Sequence, residues 1–308
     1  MANRIQDKED RLGEQTAVEK KFGKYVMASM ITMFLQSAYS MIDGLFVSNL
    51  IGDTALSAVN VAWPIIAVVT AIGTGVGCGG AVMMSTKQGE GKNEESNIVR
   101  ANVILALLAS SIVVTILFLI LLTPLLKLMG AEGELLRLSQ IYGRVMLTGG
   151  VLQILSCGLT PLLRNDNRAV SAMMIMVGGL FANLGLDFVF MYVFHMGIGG
   201  AAGASLCAQL FTTVCCLMIL CTKKTDPIRL SQFMIRKEYW KKIFKTAVSP
   251  FGISLTPSLL ILYHNVACLK FGGDLAVNAY ALISSTVGSY RVLCNLQEPD
   301  PCGAGYGN

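Results

Sequence analysis

The chain has 308 residues, of which 54% are hydrophobic and only 14% charged, with a net charge of +5 and a mean hydropathy of +0.60. Soluble domains carry about 25% charged residues, so the composition excludes an ordinary soluble protein and indicates an all-α polytopic membrane protein. The apolar runs do not alternate with a period of two, which argues against a β-barrel.

Seven apolar runs are long enough to cross a hydrocarbon core of about 30 Å, which takes about 20 helical residues. They lie at residues 25–50, 57–84, 98–122, 138–160, 168–194, 199–222 and 246–271, and an eighth begins near residue 275. Residues 1–24 precede them as a charged cytoplasmic segment that lacks the pattern of a cleavable signal peptide.

Basic residues are distributed unevenly among the segments that connect these runs. With the N-terminus in the cytoplasm, nineteen Lys and Arg residues fall in cytoplasmic segments and four fall on the opposite side. This bias predicts the orientation by the positive-inside rule. We therefore expect a multi-pass protein of a bacterial inner membrane with a cytoplasmic N-terminus, and we do not interpret the basic charge as a nucleic-acid surface.

The same three features occur twice in the chain, 221 residues apart: a group of three lysines, a 27-residue apolar stretch and a G-D-x-A-x-x-A motif. The motif occupies residues 52–58 and 273–279. Six predicted spans separate the copies, so both copies enter the membrane in the same direction, as in transporters built from parallel repeats. We predict a six-helix lobe at 25–222, a basic cytoplasmic linker at 223–245 and the start of a second lobe at 246–290.

The end of the sequence departs from this architecture. Only 29 residues follow Ala279, and residues 291–308 contain two prolines, three glycines and several polar groups where an eighth span would be in mid-bilayer. Unpaired backbone at that depth costs several kcal/mol per group. We interpret residues 291–308 as an aberrant or truncated tail, of the kind that a frameshift or a premature stop produces.

The glycine-rich run at residues 75–80 matches G-x-G-x-x-G, the pattern of dinucleotide-binding loops. Such a loop needs a preceding strand, whereas this run is embedded in an apolar span. Pairs of glycines four residues apart are instead typical of closely packed membrane helices. The run therefore predicts helix packing. No Cys or His cluster has metal-ligand spacing, so these residues predict no metal site.

Two acidic residues, Asp43 and Asp187, lie well inside predicted spans. A charge at mid-bilayer costs at least about 2.5–3.5 kcal/mol, and such residues often mark ion or proton pathways. Asn183 precedes Asp187 by one helical turn, and Gln36 and Tyr39 share a helix face with Asp43. The alternative is a structural carboxylate near a helix end that accepts hydrogen bonds from backbone amides.

Other polar side chains in the spans, including Tyr142 and Ser205, are individually more typical of interhelical hydrogen bonds than of ligand sites. His264 occupies the repeat position of Asp43, but a lone histidine is usually a satisfied polar group. Methionines such as Met176 are candidates for lining an apolar cavity, because methionine adapts its shape to different ligands. Ordinary core packing explains the methionines equally well.

Several motifs occur in the order found in one transporter family. They are Y-S-M-I-D-G-L-F-V at 39–47, G-D-x-A-L-x-A-V-N-V-A-W-P at 52–64, K-Q-G-E-G-K at 87–92, L-R-N-D at 163–166, N-x-x-x-D at 183–187 and G-x-G-G-A-A at 197–202. On these residues the chain resembles the multidrug and toxic compound extrusion (MATE) family over about residues 22–290.

The resemblance implies an incomplete form of a twelve-helix antiporter with two six-helix lobes. It implies export of organic cations or drugs in exchange for H⁺ or Na⁺, with no enzyme activity and no cofactor other than the coupling ion. Beyond these substrates and the bilayer, we expect no nucleic acid and no obligate protein partner. In the branch that couples through the first lobe, the positions matching the coupling cluster are Asp43, Asn183, Asp187 and Ser205, with Gln36 and Tyr39 lining the same cavity.

The sequence departs from the family pattern at two points. The first span has no proline, which argues against the proton-driven bending proposed for that helix in some members. The seventh span lacks the acidic residue that another branch uses in its second lobe, so coupling through the first lobe is favoured.

Two alternatives stay open at this point. A lipid-linked precursor flippase of the same superfamily would be expected to have a more cationic cavity, whereas the predicted cavity here is acidic. A non-transporting fragment of an interrupted gene would share the fold without exporting drugs, and we expect export by this truncated chain to be impaired. A membrane enzyme is disfavoured, because no nucleophile–base set or metal site is evident.

Overall fold

The computed structural model describes residues 42–44, 46–221 and 236–294, and this part of the chain is helical without strands. The helices are α1 (Ile42–Ile51), α2 (Asp53–Gly89), α3 (Asn93–Leu128), α4 (Gly133–Thr148), α5 (Gly150–Leu163), α6 (Ala169–Asp187), α7 (Ile198–Cys221) and α8 (Lys237–Cys294). Two π-helical turns, Arg164–Arg168 and Phe188–Val193, flank α6. The predicted all-α class is confirmed. Most of the first predicted span and the last residues of the predicted tail lie outside the described residues.

Five of the described helices are long and apolar enough to cross a membrane, and the bent pair α4–α5 adds a sixth crossing if it counts as one span. The five are Thr54–Gly89, Asn93–Leu128, Ala169–Val193, Ile198–Cys221 and Lys237–Cys268. Together with the bent pair they match the second to the seventh predicted spans in order. The polytopic architecture predicted from hydropathy is therefore confirmed.

The fourth predicted span is not one straight helix. α4 and α5 meet at a 59° bend, and Gly149 lies between them. A Cβ atom at Gly149 would lie 2.1 Å from a methyl carbon of Leu206 on α7. Glycine therefore allows α7 to approach the bend closely, and sharp helix kinks are often found at such small residues. Hydropathy gave no signal of the bend, because it reports burial in lipid and not helix direction.

α2 packs against α3, α4, α5 and α8, and its glycines face three of these neighbours, α3, α5 and α8. A Cβ at Gly77 would lie 2.3 Å from the carbonyl oxygen of Gly158 on α5. On another face, Gly75 and Gly79 lie against α8, where a Cβ at Gly79 would lie 2.7 Å from the amide nitrogen of Ala247. The predicted packing role of this glycine run is confirmed.

The repeated G-D-x-A-x-x-A motif begins with a similar backbone break in both copies. Gly52 separates α1 from α2 and adopts a φ of 115°. Gly273 adopts a φ of 61° and interrupts α8 at the first residue of the second copy of the motif. A residue with a Cβ is strained at positive φ, so glycine lets one helix turn into the next at both places.

α8 begins inside the segment that the sequence assigns to the basic linker, at Lys237. Ile243 and Ala247 are buried on one face of α8, and that face packs against α2. At the start of the helix, the Arg236 backbone amide donates a hydrogen bond to Asn102 Oδ1 at 3.1 Å. Packing against α2 thus extends the helix beyond its apolar run.

Candidate cation-coupling site

Asp187, the last residue of α6, is fully buried, and neither of its carboxylate oxygens has a hydrogen-bond partner within the described residues. Asp43 on α1 is partly buried, and its Oδ1 also lacks a partner among those residues. The two carboxylates interact electrostatically with each other. A buried carboxylate without a partner is costly, so this arrangement suits a site that takes up a cation or a proton.

Asn183 lies one helical turn before Asp187 and is buried, with its Nδ2 unpartnered in the described part of the chain. Ser205 lies on α7, which packs against α6, and is partly buried. Its hydroxyl makes no hydrogen bond to any residue that the structure describes. The structure therefore places Asn183 on the same helix face as Asp187, and it places Ser205 on the adjacent helix without a direct bond to either acid.

The helix geometry changes directly after Asp187. The π-helical turn Phe188–Val193 follows α6 without a break, and the Phe194 amide donates to the Val189 carbonyl at 3.0 Å, five residues back. Single π-helical turns inside α-helices are frequent at functional sites. No pattern in the sequence predicted this turn.

Tyr142 on α4 is a residue whose position the sequence did not predict. It is 5% exposed and interacts electrostatically with both Asp43 and Asp187. Sequence reasoning treated it as an ordinary polar group of a span, because the placement of α4 relative to α1 and α6 cannot be inferred from periodicity. The structure thus adds a phenol to the surroundings of the two acids.

The remaining candidates are dispersed. Met176 on α6 is partly buried, and its Sδ accepts a hydrogen bond from Arg164 Nη2 at 3.3 Å. His264 on α8 has its Nδ1 2.8 Å from the Leu260 carbonyl oxygen and stacks on Tyr280, so it is a satisfied polar group. The predicted cavity residues Gln36 and Tyr39 lie outside the described residues.

A second polar cluster lies at the end of the helices that the charge bias assigns to the cytoplasm, here called the predicted cytoplasmic end. Arg100 and Asp166 are both buried, with Nη1 and Oδ2 3.6 Å apart. Gln88 Nε2 donates to Asp166 Oδ1 at 3.3 Å, and Arg100 also donates to Asn97. This cluster joins the K-Q-G-E-G-K motif to the L-R-N-D motif, a connection that the sequence did not predict.

Ion pairs near the surface surround the loop between α2 and α3. Lys87 Nζ lies 3.0 Å from Glu90 and 2.9 Å from Glu95, and Lys92 Nζ lies 3.0 Å from Glu90. Hydrogen bonds from Lys87 and Lys92 lower the pKa of the Glu90 carboxyl. The basic charge of this loop is therefore compensated within the loop.

Comparison with known proteins relates the motifs and the fold to a family. The sequence profile described as MatE matches residues 28–189, which is more than half of the chain. The chain is 24% identical over 271 residues to the multidrug export protein MepA of Staphylococcus saprophyticus, covering 87% of this chain and 60% of that protein. MepA of Staphylococcus aureus is also 24% identical, over 275 residues, with the same shares covered.

Solved structures show the same relationship. The inward-facing conformation of a multidrug resistance MATE family transporter of the MOP superfamily is 26% identical, with a TM-score of 0.75 over 83% of this chain and 60% of that one. The MATE multidrug transporter DinF-BH in complex with rhodamine 6G is 26% identical, with a TM-score of 0.84 over 90% of this chain and 62% of that one. The chain thus spans about 60% of the length of the curated relatives it matches. It is a multi-pass membrane protein that belongs to the MatE family, the multidrug and toxic compound extrusion transporters.

Proposed function

We propose that this chain acts in secondary active antiport, exporting organic cations or drugs in exchange for H⁺ or Na⁺. Two findings support export of small molecules: family membership and the names of the MepA relatives, which are multidrug export proteins. We propose a bacterial inner membrane as its location. The N-terminus lies in the cytoplasm in this proposal, because the predicted cytoplasmic segments have an excess of basic residues.

The coupling proposal rests on the environment of Asp187. It is fully buried and lacks a hydrogen-bond partner among the described residues, and it interacts electrostatically with Asp43. When the two carboxylates are ionised, they attract an organic cation. Binding of H⁺ or Na⁺ neutralises that charge and weakens the attraction, so the two ligands compete, as antiport requires.

Neighbouring polar atoms give the coupling ion further contacts in this proposal. The Asn183 side-chain oxygen and the Tyr142 hydroxyl, with the two carboxylates, are the oxygen ligands that hard cations prefer. We further propose that Ser205 contributes its hydroxyl from α7 and that Gln36, Tyr39 and Met176 line the cavity. The chain needs no cofactor besides the coupling ion, no enzyme chemistry and no nucleic acid for this function.

The proposal is tested by competition binding on the purified 308-residue chain. The anisotropy of a fluorescent organic cation, rhodamine 6G, is measured against protein concentration at pH 6 and pH 8, with and without NaCl at constant ionic strength. We expect the unmodified chain to bind the dye more weakly when protons or Na⁺ are abundant. In Asp187→Asn this dependence should disappear.

The matched control is Glu134→Gln, which removes one acidic charge from an exposed position paired with Arg137. It should leave the competition unchanged. Competition that persists undiminished in Asp187→Asn would refute the assignment of Asp187. Export itself is measured as drug susceptibility of an efflux-deficient host that expresses the chain.

A further inference from the structure

The first turns of α8 carry an exposed basic surface that has no role in the proposed antiport function. Lys237, Lys241, Lys242 and Lys245 are all exposed. None of them forms an ion pair with a residue in the described part of the chain. Glu238 is the acidic residue between Lys237 and Lys245, so the surface has an excess of positive charge.

The α2–α3 loop provides the contrast. Its Lys87 and Lys92 lie at the same predicted cytoplasmic end, but Glu90 and Glu95 neutralise them at 2.9–3.0 Å. Two basic clusters at the predicted cytoplasmic end therefore differ, since one is paired with acidic residues and the other forms no ion pair among the residues that the structure describes.

The helix places apolar side chains directly beneath the lysines. Lys241, Phe244, Lys245 and Val248 stand at i, i+3, i+4 and i+7, so they share one helix face. Phe244 is 41% and Val248 67% exposed. Residues 246–269 then contain no Asp, Glu, Lys or Arg, so Lys245 is the last charge before the apolar part of the helix.

The opposite face of these turns is already occupied. Ile243 is fully buried and Ala247 is 6% exposed, and both lie against Gly79 of α2. The Trp240 ring packs on the hydrophobic core and beside Phe244. The lysine-bearing face is thus held in a fixed orientation, pointing away from the helix bundle.

We propose that this face of α8, formed by Lys237, Lys241, Phe244, Lys245 and Val248, binds an anionic phospholipid of the leaflet at the predicted cytoplasmic end. The lysines contact the phosphate-containing headgroup, and Phe244 and Val248 contact the acyl chains. Basic clusters next to the cytoplasmic end of a membrane helix are attracted to anionic lipids.

The test is native mass spectrometry of the full chain in detergent with phosphatidylglycerol and phosphatidylcholine of identical acyl chains. We expect the unmodified chain to retain phosphatidylglycerol preferentially. In Lys241→Gln/Lys245→Gln the preference should fall roughly thirtyfold, given the attraction of about 1 kcal/mol that each surface lysine has for anionic lipid. The control, Lys87→Gln/Lys92→Gln, removes the same charge from the same end and should keep the preference.

Two results would overturn the proposal: equal retention of both lipids by the unmodified chain, or an equal loss of preference in both glutamine variants. A second pair of measurements does not depend on the folding of those variants. Lys241→Arg/Lys245→Arg keeps the charge and should keep the preference. In the unmodified chain the preference should fall as ammonium acetate rises from about 50 to 500 mM, because salt screens exposed charges; a preference that does not change with salt would contradict the proposed site.

Discussion

The close contact between α2 and α5 can be tested with a single methyl group at Gly77. A Cβ at this position would lie 2.3 Å from the carbonyl oxygen and 2.5 Å from the Cα of Gly158. Both atoms belong to the backbone, so no side-chain rotation relieves the contact. Since ordinary contacts between such atoms are about 3.5–4.0 Å, the two helices must move apart by about 1 Å or more in Gly77→Ala.

The expected loss of stability follows from two opposing effects. Overpacking a close contact costs about 1–3 kcal/mol, and backbone obstruction places Gly77 at the upper end of that range. Replacing glycine by alanine within a helix contributes about 1 kcal/mol in the other direction. The net loss for Gly77→Ala is therefore about 2 kcal/mol.

Gly185 provides the matched control, because a Cβ there meets no atom within 4 Å. Gly185→Ala keeps only the gain in helix propensity of about 1 kcal/mol, so the two variants should differ by about 3 kcal/mol. Apparent unfolding midpoints are measured in one detergent at one scan rate by tryptophan fluorescence. At about 2–4 °C per kcal/mol, we expect the midpoints to differ by roughly 6–12 °C. Midpoints within one degree of each other would refute the close packing of α2 on α5.

Three further changes test the polar groups. Asp166→Asn removes the carboxylate charge 3.6 Å from the buried guanidinium of Arg100 and should cost about 3–5 kcal/mol, whereas replacing both residues by leucine should restore most of the loss in the same thermal assay. Asp187→Asn removes a buried, unpartnered carboxylate, so its midpoint should equal or exceed that of the unmodified chain, and a lower midpoint would show a structural role for the carboxylate. Tyr142→Phe should weaken H⁺ or Na⁺ competition with rhodamine 6G about three- to tenfold, because one hydroxyl ligand is lost. Unchanged competition would show that Tyr142 does not contact the coupling ion.

The features that the sequence predicted correctly are those with a local signal. An apolar run of about 20 residues reports a span regardless of its neighbours, and six of the predicted spans were found in order. The glycine pairs in α2 were identified as packing residues because their spacing of four puts them on one helix face. An acidic residue inside an apolar run is equally conspicuous, so Asp43 and Asp187 stood out without any knowledge of the fold.

The features that the sequence did not predict depend on how the helices are arranged. Tyr142 is one of several polar residues in the spans, and only the placement of α4 brings it near Asp43 and Asp187. Leu206 of α7 lies close to the bend at Gly149, although it is more than fifty residues further along the chain. Neither contact leaves a periodic pattern, so neither could be inferred from residue spacing.

The Arg100–Asp166 pair shows how a contact between distant segments affects the candidate site. Both residues fall in segments that the charge bias assigns to the cytoplasm, where solvent exposure would be expected, yet each side chain is only 1% exposed. A buried charge requires its counter-charge nearby, so the burial of either residue depends on the other. Their contact ties the start of α3 to the turn that precedes α6. Because α6 runs from that turn to Asp187, the pair at one end of the helix helps to fix the position of the acid at the other end.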